Sequence, residues 1–509
     1  MSELQAAHAR IAALEEQVAQ LELLIEWFKK QMFGAGKSER ADMLQLQLKL
    51  KELEAARDEL VNRERISYER EKPKVRTVPA ERFEGLPVKE TVVVEPAEVQ
   101  NDPDLYERIG EEETFEVDIT PPKLYKRAII RPKYRHRLER SRPPVVAPAP
   151  KRVIEGSYAS AGLITWVILS KYRDHLPLHR QEGMLKRWGG PVPKQTMSDW
   201  VATASFLLEV IYWKIREGLL GVGYLQADET PIKFIDPDIK KGKAQTGYFW
   251  LMGVPDGPVF IQWSQGRGQA HAGELLAGFR GILQTDGYAG YNPVHGEDTP
   301  VTRVACLAHC RRKFAEALKA APVQAAFMLR LIGNLYHLDN QWERNGITDP
   351  AQRAHLRQRD FAMTLRLLEK AAIRLLKSHR PTTAIGKACS YLLGQWDALI
   401  RLCDYGQVKL DNNLIENAVR PTKLGAKNWL FIGAPHAGKR SAIIYTILLS
   451  CQRCGVDPQA YLQDLLQKLP HMSNQDDFTH LLPQNWKPPV THNVINGHKQ
   501  GTQYVTIDV

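Results

Sequence analysis

The sequence predicts a multidomain α+β protein: an N-terminal coiled coil, a small β-rich module, a helix-turn-helix region, and an α/β core interrupted by a helical insertion. Three observations predict it. Apolar residues repeat in heptads near the start, a proline-rich stretch separates two compositionally different halves, and strand patterns in the second half give way to long helical ones. A chain of 509 residues exceeds one ordinary core, so several domains are expected. With 43% hydrophobic and 25% charged residues the composition is globular, and the net charge of +11 favours a polyanionic partner.

Leu4, Ala7, Ile11, Leu14, Val18, Leu21, Ile25, Phe28 and Met32 hold a heptad register, and a second helix is expected over Ala41–Arg65. Residues 1–70 are therefore read as a coiled coil joining copies of the chain in a homo-oligomer. Residues 71–142 form the β-rich module, with strands near Val92–Val94, Phe115–Ile119 and Ala128–Ile130 and a basic tail interleaved with Tyr125 and Tyr134. Residues 143–156 are a proline-rich linker. Over 157–220 a helix at Leu178–Trp188, a Gly189-Gly190 turn and a second helix near Lys194–Trp200 suggest a helix-turn-helix. Lys194, Gln195, Thr196 and Ser198 would meet DNA there.

Residues 221–320 alternate strands, near Tyr224–Phe234, Gly247–Val254 and Pro258–Trp263, with a helix near Ala272–Phe279 and a strand ending at Asp286. Residues 321–405 read as a helical insertion, 406–470 as the second part of the core, and 471–509 as a polar tail. The first helix after the insertion buries Leu414, Ile415, Ala418 and Val419, with Asp411 as its N-cap, and carries Glu416 outside that apolar set. Asp228 and Asp286 lie at the edges of apolar runs. Two strand-borne aspartates and a helix-borne glutamate are hard oxygen donors suited to two Mg²⁺ ions, with Mn²⁺ able to substitute, and such a pair serves phosphoryl transfer. Each acid alone reads as an ordinary cap; the trio fits an RNase H-like core split between its second and third acids.

Several motifs carry a resemblance over nearly the whole chain. They are Phe33-Gly34 with Ser38-Glu39-Arg40, Ser170-Lys171-Tyr172 with His175-Leu176-Pro177-Leu178, Ala227-Asp228-Glu229-Thr230 and Gln284-Thr285-Asp286-Gly287-Tyr288. Cys306 to Phe314, Asp411-Asn412-Asn413 with Glu416-Asn417 and Arg420-Pro421, Lys427-Asn428-Trp429 and Ala437-Gly438 continue the set. The chain resembles the insertion-sequence-66 transposases of the TnpC type. That resemblance implies that Asp228, Asp286 and Glu416 are a DDE triad. It also implies metal-dependent cleavage at transposon ends, followed by attack of the freed 3′-hydroxyl on target DNA. Small accessory proteins of the element often accompany such enzymes. Typical members also carry zinc-binding cysteines ahead of the helix-turn-helix. All six cysteines here fall at or after Cys306, so no zinc is expected in the N-terminal half.

Arg311, Arg312, Lys313, Arg420, Lys423 and Lys427 cluster in sequence around the second and third acids and would position phosphates. Arg420 has an alternative as a structural bridge to Asp411 or Glu416. Trp429, beside Lys427, is the best base-stacking candidate, with Trp342 and Trp396 favoured as core residues. Cys306 and His309 read as support for the site, and a shared zinc site with Cys451 and Cys454 as less favoured than core packing. No membrane span or signal-peptide core is legible, so a cytoplasmic, nucleoid-associated protein is expected. A DNA-binding repressor without activity and a nuclease that cuts without joining stay open as alternatives.

Overall fold

The computed structural model describes residues 124–489, apart from 136, 138–140, 142, 144, 237, 239–242 and 297. The predicted coiled coil, most of the β-rich module and the end of the polar tail lie outside the described residues. Of the strands predicted for that module, only Ala128–Ile130 is described, and it forms none. Its apolar side chains are exposed and meet no partner strand. The ladder instead joins β1 (Lys133–Tyr134) to β2 (Val145–Val146), so the predicted linker begins with a two-residue strand.

Helices α1 (Ala161–Tyr172), α2 (Leu178–Arg187) and α3 (Lys194–Leu220) come next. Ser160 caps α1 by accepting the Leu163 N–H, and Gly189, at φ 83°, closes α2 in the left-handed region. The helix expected to be short after Lys194 runs on for 27 residues. Met197, Trp200, Val201, Ala204 and Leu208 bury one side of it at helical spacing, so the amphipathic pattern carries it into the core.

The second half is a mixed α/β structure around a five-stranded sheet, ordered β5-β4-β3-β6-β7. Its strands are β3 (Tyr224–Phe234), β4 (Gln245–Gly253), β5 (Val259–Ser264), β6 (Gly281–Thr285) and β7 (Val301–Ala305). β3, β4 and β5 are antiparallel neighbours, whereas β6 and β7 run parallel to β3. Parallel neighbours need crossovers, which α4 (Gln269–Leu276) and a one-turn helix at Ala289–Val294 supply. β7 was not foreseen. Its pattern is short and it follows a turn-rich stretch, so only pairing with β6 identifies it.

After β7 come α5 (Leu307–Ala317), α6 (Pro322–Arg344), α7 (Pro350–Ser378), α8 (Ala384–Gly394) and α9 (Trp396–Ile400), as the helical pattern predicted. They bury a second apolar core, where Trp342 stacks on Phe361. α10 (Asn413–Trp429), α11 (Pro435–Arg453) and α12 (Pro458–Lys468) return to the first core. Every residue of α11 from Ser441 to Cys451 is buried, and its hydroxyls close an exposed edge. Thr446 Oγ1 accepts the Ile261 N–H at 2.9 Å and Ser450 Oγ that of Val259 at 3.1 Å, so side chains satisfy β5 where a further strand would. Among the described residues no helix is long and apolar enough to cross a membrane.

Candidate active site

Strand register brings the two aspartates side by side. β3 and β6 stop pairing at Gln226↔Gln284, and Asp228 and Asp286 each lie two residues further along. Because side chains alternate, each aspartate shares a face with its glutamine. Beyond that pair β6 ends, and a crevice opens at the carboxyl end of the parallel strands, where open sheets usually take their ligands.

The glutamines fix where the third acid arrives. Gln226 Nε2 donates to Gln284 Oε1 and to the Asp411 carbonyl, both at 2.9 Å, and Gln284 Nε2 donates to the Lys409 carbonyl at 2.8 Å. Tyr224 Oη donates to Gln284 Oε1 at 2.6 Å. Asn412 reaches the Ala227 carbonyl from its side chain, and its backbone N–H donates to Cys306 Sγ at 3.5 Å. The Leu307 N–H meets the Leu410 carbonyl at 3.0 Å. The segment leading into α10 is therefore pinned to β3, β6 and the start of α5, and Glu416 follows in the first turn of α10.

The predicted cap of that helix needs correction. Asn412, not Asp411, is the N-cap. Asp411 sits one residue earlier, where Oδ1 accepts the Asn413 N–H at 3.1 Å and Oδ2 the Tyr336 hydroxyl at 2.8 Å, so it braces the approach to the helix. Ile415, Ala418 and Val419 are buried as expected and Leu414 is half-buried.

Asp228 lies among like charges. Burial first, then the charges of Glu229, Glu416 and Asp286, push its carboxyl well above the usual carboxylate range. No cation among the described residues lies within ion-pairing distance of it. Asp286 Oδ1 accepts the Tyr288 N–H at 2.9 Å. Its backbone is held by Arg303, which donates to the Asp286 carbonyl at 2.7 Å and to Thr285 Oγ1 at 3.1 Å. Gly287 beside it admits no side chain, because a Cβ would meet Tyr391 and Gln395 at 2.9 Å. Glu416 Oε2 takes Arg312 at 3.1 Å, while Oε1 lies 3.2 Å from His309 Nε2 without hydrogen-bond alignment and is otherwise unpartnered. Burial lowers the His309 pKa despite Glu416 and Asp286 beside it, so the ring is mostly neutral at neutral pH.

Hard carboxylate oxygens are the donor chemistry that Mg²⁺ or Mn²⁺ selects, and in kind the three acids fit, with Glu416 the one already paired to a cation. Among the described residues, however, no three His, Cys, Asp or Glu side chains converge closely enough to hold one ion together. That also sets aside one zinc site built from Cys306, His309, Cys451 and Cys454. Cys451 packs in the first core and Cys306 is a buried acceptor for Asn412.

The remaining predicted residues fall into two groups. Arg311, Arg312, Arg420 and Lys427 are exposed on α5 and α10 and Lys313 is half-buried, while Lys194 and Gln195 are exposed at the head of α3, with Thr196 half-buried. Arg420 bridges neither Asp411 nor Glu416, whose partners are Tyr336 and Arg312. Ser198 and Lys423 are already engaged: the first accepts from Arg440, and the second donates to the Pro231 carbonyl. Trp429 and Trp396 are half-buried and Trp342 is buried.

Sequence reading missed Gln226, Gln284 and Arg303 as positioning groups, and Glu229 beside Asp228. Glu229 is buried between Arg267 Nε at 3.0 Å and the Tyr291 hydroxyl at 2.9 Å. The available signal was polar residues inside apolar strand patterns, which are costly unless hydrogen-bonded.

A family model described as Transposase IS66 family matches residues 156–440, and one described as IS66 C-terminal element matches residues 446–484. Three uncharacterized proteins of Sinorhizobium fredii are similar. y4jD is 29% identical, over 75% of this chain and 76% of its own. y4qI is 32% identical, over 75% and 72%, and y4hP 27%, over 92% and 89%. With more than half its length matched by that model, and both strand-borne acids and the glutamate helix inside the match, the chain belongs to the IS66 transposase family.

Proposed function

We propose that the chain is a DDE transposase that cleaves DNA at the ends of its element and joins the freed 3′-hydroxyls to target DNA. Asp228, Asp286 and Glu416 are its catalytic carboxylates. The observation that carries this reading is the shared register of Asp228 and Asp286 at the open end of β3 and β6, with Glu416 close enough to raise the Asp228 carboxyl. The strand order, three antiparallel strands extended by two parallel ones, supports an RNase H-like core with α5–α9 inserted between the second and third acids.

Divalent ions bound there would lower the pKa of the attacking oxygen and offset charge on the leaving one. Two Mg²⁺ ions, with Mn²⁺ able to substitute, are the cofactor this reading calls for. Asp228 and Asp286 would hold the ions, and Glu416 would complete the second site. Arg312 holds Glu416 until then, and Tyr288 and Arg303 keep Asp286 aimed into the crevice. Arg311, Lys313, Arg420 and Lys427 would meet phosphates of the end DNA, as would Trp429 its bases and Lys194, Gln195 and Thr196 a second stretch of duplex. Two ends are cut together only if two protomers meet, the role assigned to the N-terminal heptads.

The deciding experiment incubates purified protein and Mg²⁺ with DNA carrying the element's ends, wild type against Asp286→Asn. Joining in the wild type, lost in the variant, is the expected result. Cleavage without joining would select the nuclease, and tight binding with neither activity the repressor. A second expectation concerns the glutamine staple. Gln226→Leu leaves the Asp411 carbonyl and Gln284 unpaired and should lower joining about 10–100-fold, as loss of partners one layer behind a metal site does. Circular dichroism of the folded variant, alongside the joining rate, separates misplacement from unfolding.

A further inference from the structure

α10 ends in a turn that redirects the chain onto β3, where the Ile432 N–H donates to the Lys233 carbonyl at 2.8 Å, and that leaves Leu430 on the outside. Leu430 has φ 63° and ψ −44°, and the Phe431 N–H donates to the Trp429 carbonyl at 2.7 Å. A three-residue turn with a positive φ at its centre is rare and strained, more so at a branched residue such as leucine. Burial does not offset the strain, since Leu430 is 70% exposed and Phe431 41%. Behind the turn lies a cavity of about 160 Å³, lined by Lys171, Tyr172, Leu178, Trp429, Phe431 and Ser441 among others. The Trp429 indole is laid flat over Gly425, where a Cβ would come within 2.8 Å of it. The cavity is separate from the acids, because thirteen residues of helix put Trp429 about 20 Å from Glu416.

We propose that Leu430 is a wedge that enters a DNA base stack and that the cavity beside it receives one displaced nucleobase. The inference rests on the reading of the chain as a DNA transposase. An apolar side chain held out at a turn is how proteins part a base step, and a flipped base is received between aromatic and apolar walls. An apolar cavity of about 150 Å³ already holds a benzene-sized ring. Tyr172 Oη and Ser441 Oγ, 3.3 Å apart at the wall, supply donors and acceptors for a polar ring edge. Lys171, on the wall, gives the mouth the charge that a phosphate backbone needs. A planar ring with polar edges and an attached phosphate fits this set; an aliphatic chain would leave the cation unused.

The test is equilibrium binding of the full chain in chelator, so that no chemistry intervenes, to end-sequence duplexes with and without a one-nucleotide bulge. The bulged duplex is expected to bind about tenfold more tightly, the scale of one base stacked on an aromatic side chain. The preference should vanish in Leu430→Gly with affinity for the paired duplex kept, and in Trp429→Ala, where binding of the paired duplex should weaken as well. Leu430→Gly relieves the positive φ and should melt at or above wild type, so its result cannot be ascribed to unfolding. Equal wild-type affinity for both duplexes would overturn the proposal, as would a preference that survives both variants. Equal affinity with self-association lost in Trp429→Ala would give the cavity to a neighbouring copy instead. Strand joining intact without a bulge preference would remove the wedge and leave the DDE reading standing; the reverse result would do the opposite.

Discussion

Asp228→Asn is expected to lower strand joining on the order of 10³-fold or more, the scale set by losing one electrostatic contact to the reacting oxygens. The same variant is expected to melt a few degrees higher than wild type in chelator. Both follow from one cause. Asp228 is enclosed with Glu229, Glu416 and Asp286, and among the described residues no cation lies within ion-pairing distance, Lys423 acting on it only from further off. Its ionised form is therefore destabilising until something positive arrives. The sign of the pH dependence follows from the raised carboxyl. Below about pH 4 the side chain is protonated in the folded and unfolded chains alike and has no effect. As the pH climbs the unfolded carboxyl ionises freely while the folded one resists, so stability is lost up to the folded value and the full loss persists above it. In chelator the melting gap between Asp228→Asn and wild type should open as pH rises from about 4, and Mg²⁺ should narrow it. A variant no more stable than wild type at neutral pH would contradict the crowding of charge at this site.

Asp339→Ala should produce the largest loss of stability of any single change among α5–α9. Asp339, Arg353 and Arg357 are all buried, with Arg357 fully so. Arg357 donates to Asp339 Oδ1 through Nε at 3.0 Å and Nη2 at 2.8 Å, and Arg353 Nη2 lies 2.7 Å from Oδ2. Arg357 Nη1 also holds the Leu402 and Tyr405 carbonyls, each at 3.0 Å, tying α7 to the turn that leads back toward α10. Removing the carboxylate leaves two guanidinium groups buried against each other, a loss of about 3–5 kcal/mol for a broken buried pair. Urea denaturation should show it as a lower midpoint. Arg357→Met, which removes a charge with the carboxylate still paired to Arg353, should lose less.

The three acids proposed as catalytic stand out in the sequence because each lies at the limit of an apolar pattern. Asp228 follows Leu225 and Ala227, Asp286 follows Ile282 and Leu283, and Glu416 breaks an inward-facing helical stripe. Local periodicity also sufficed for β3, for α5–α9 and for α11. It failed where pairing, not pattern, decides the structure. β7 needed β6 beside it, and Ala128–Ile130 had a strand's composition but no partner. It failed again for α3, where a short recognition helix was expected and a continuous buried stripe extended it. The glutamine staple was out of reach for a related reason. Gln226 and Gln284 read as polar residues in strands, and only strand register makes them neighbours of each other and of residues 409–411. Asp411 was placed one residue off as the cap because Asn412 holds the cap position without a side-chain bond of its own, while the Asp411 side chain still accepts the Asn413 N–H.

The hydrogen bond between the Leu307 N–H and the Leu410 carbonyl joins the two ends of the long helical segment. A chain that leaves and re-enters a fold through one doorway makes its length almost irrelevant to the rest. Closing such an excursion becomes harder by only about 0.6 kcal/mol for each doubling of its length. Evolution is thus free to lengthen, shorten or exchange what hangs from that doorway, provided the threshold residues stay where they are. Some of what hangs there is fixed all the same: Tyr336 braces Asp411 and the Tyr391 hydroxyl accepts the Gly287 N–H at 3.0 Å, so any replacement must supply those contacts.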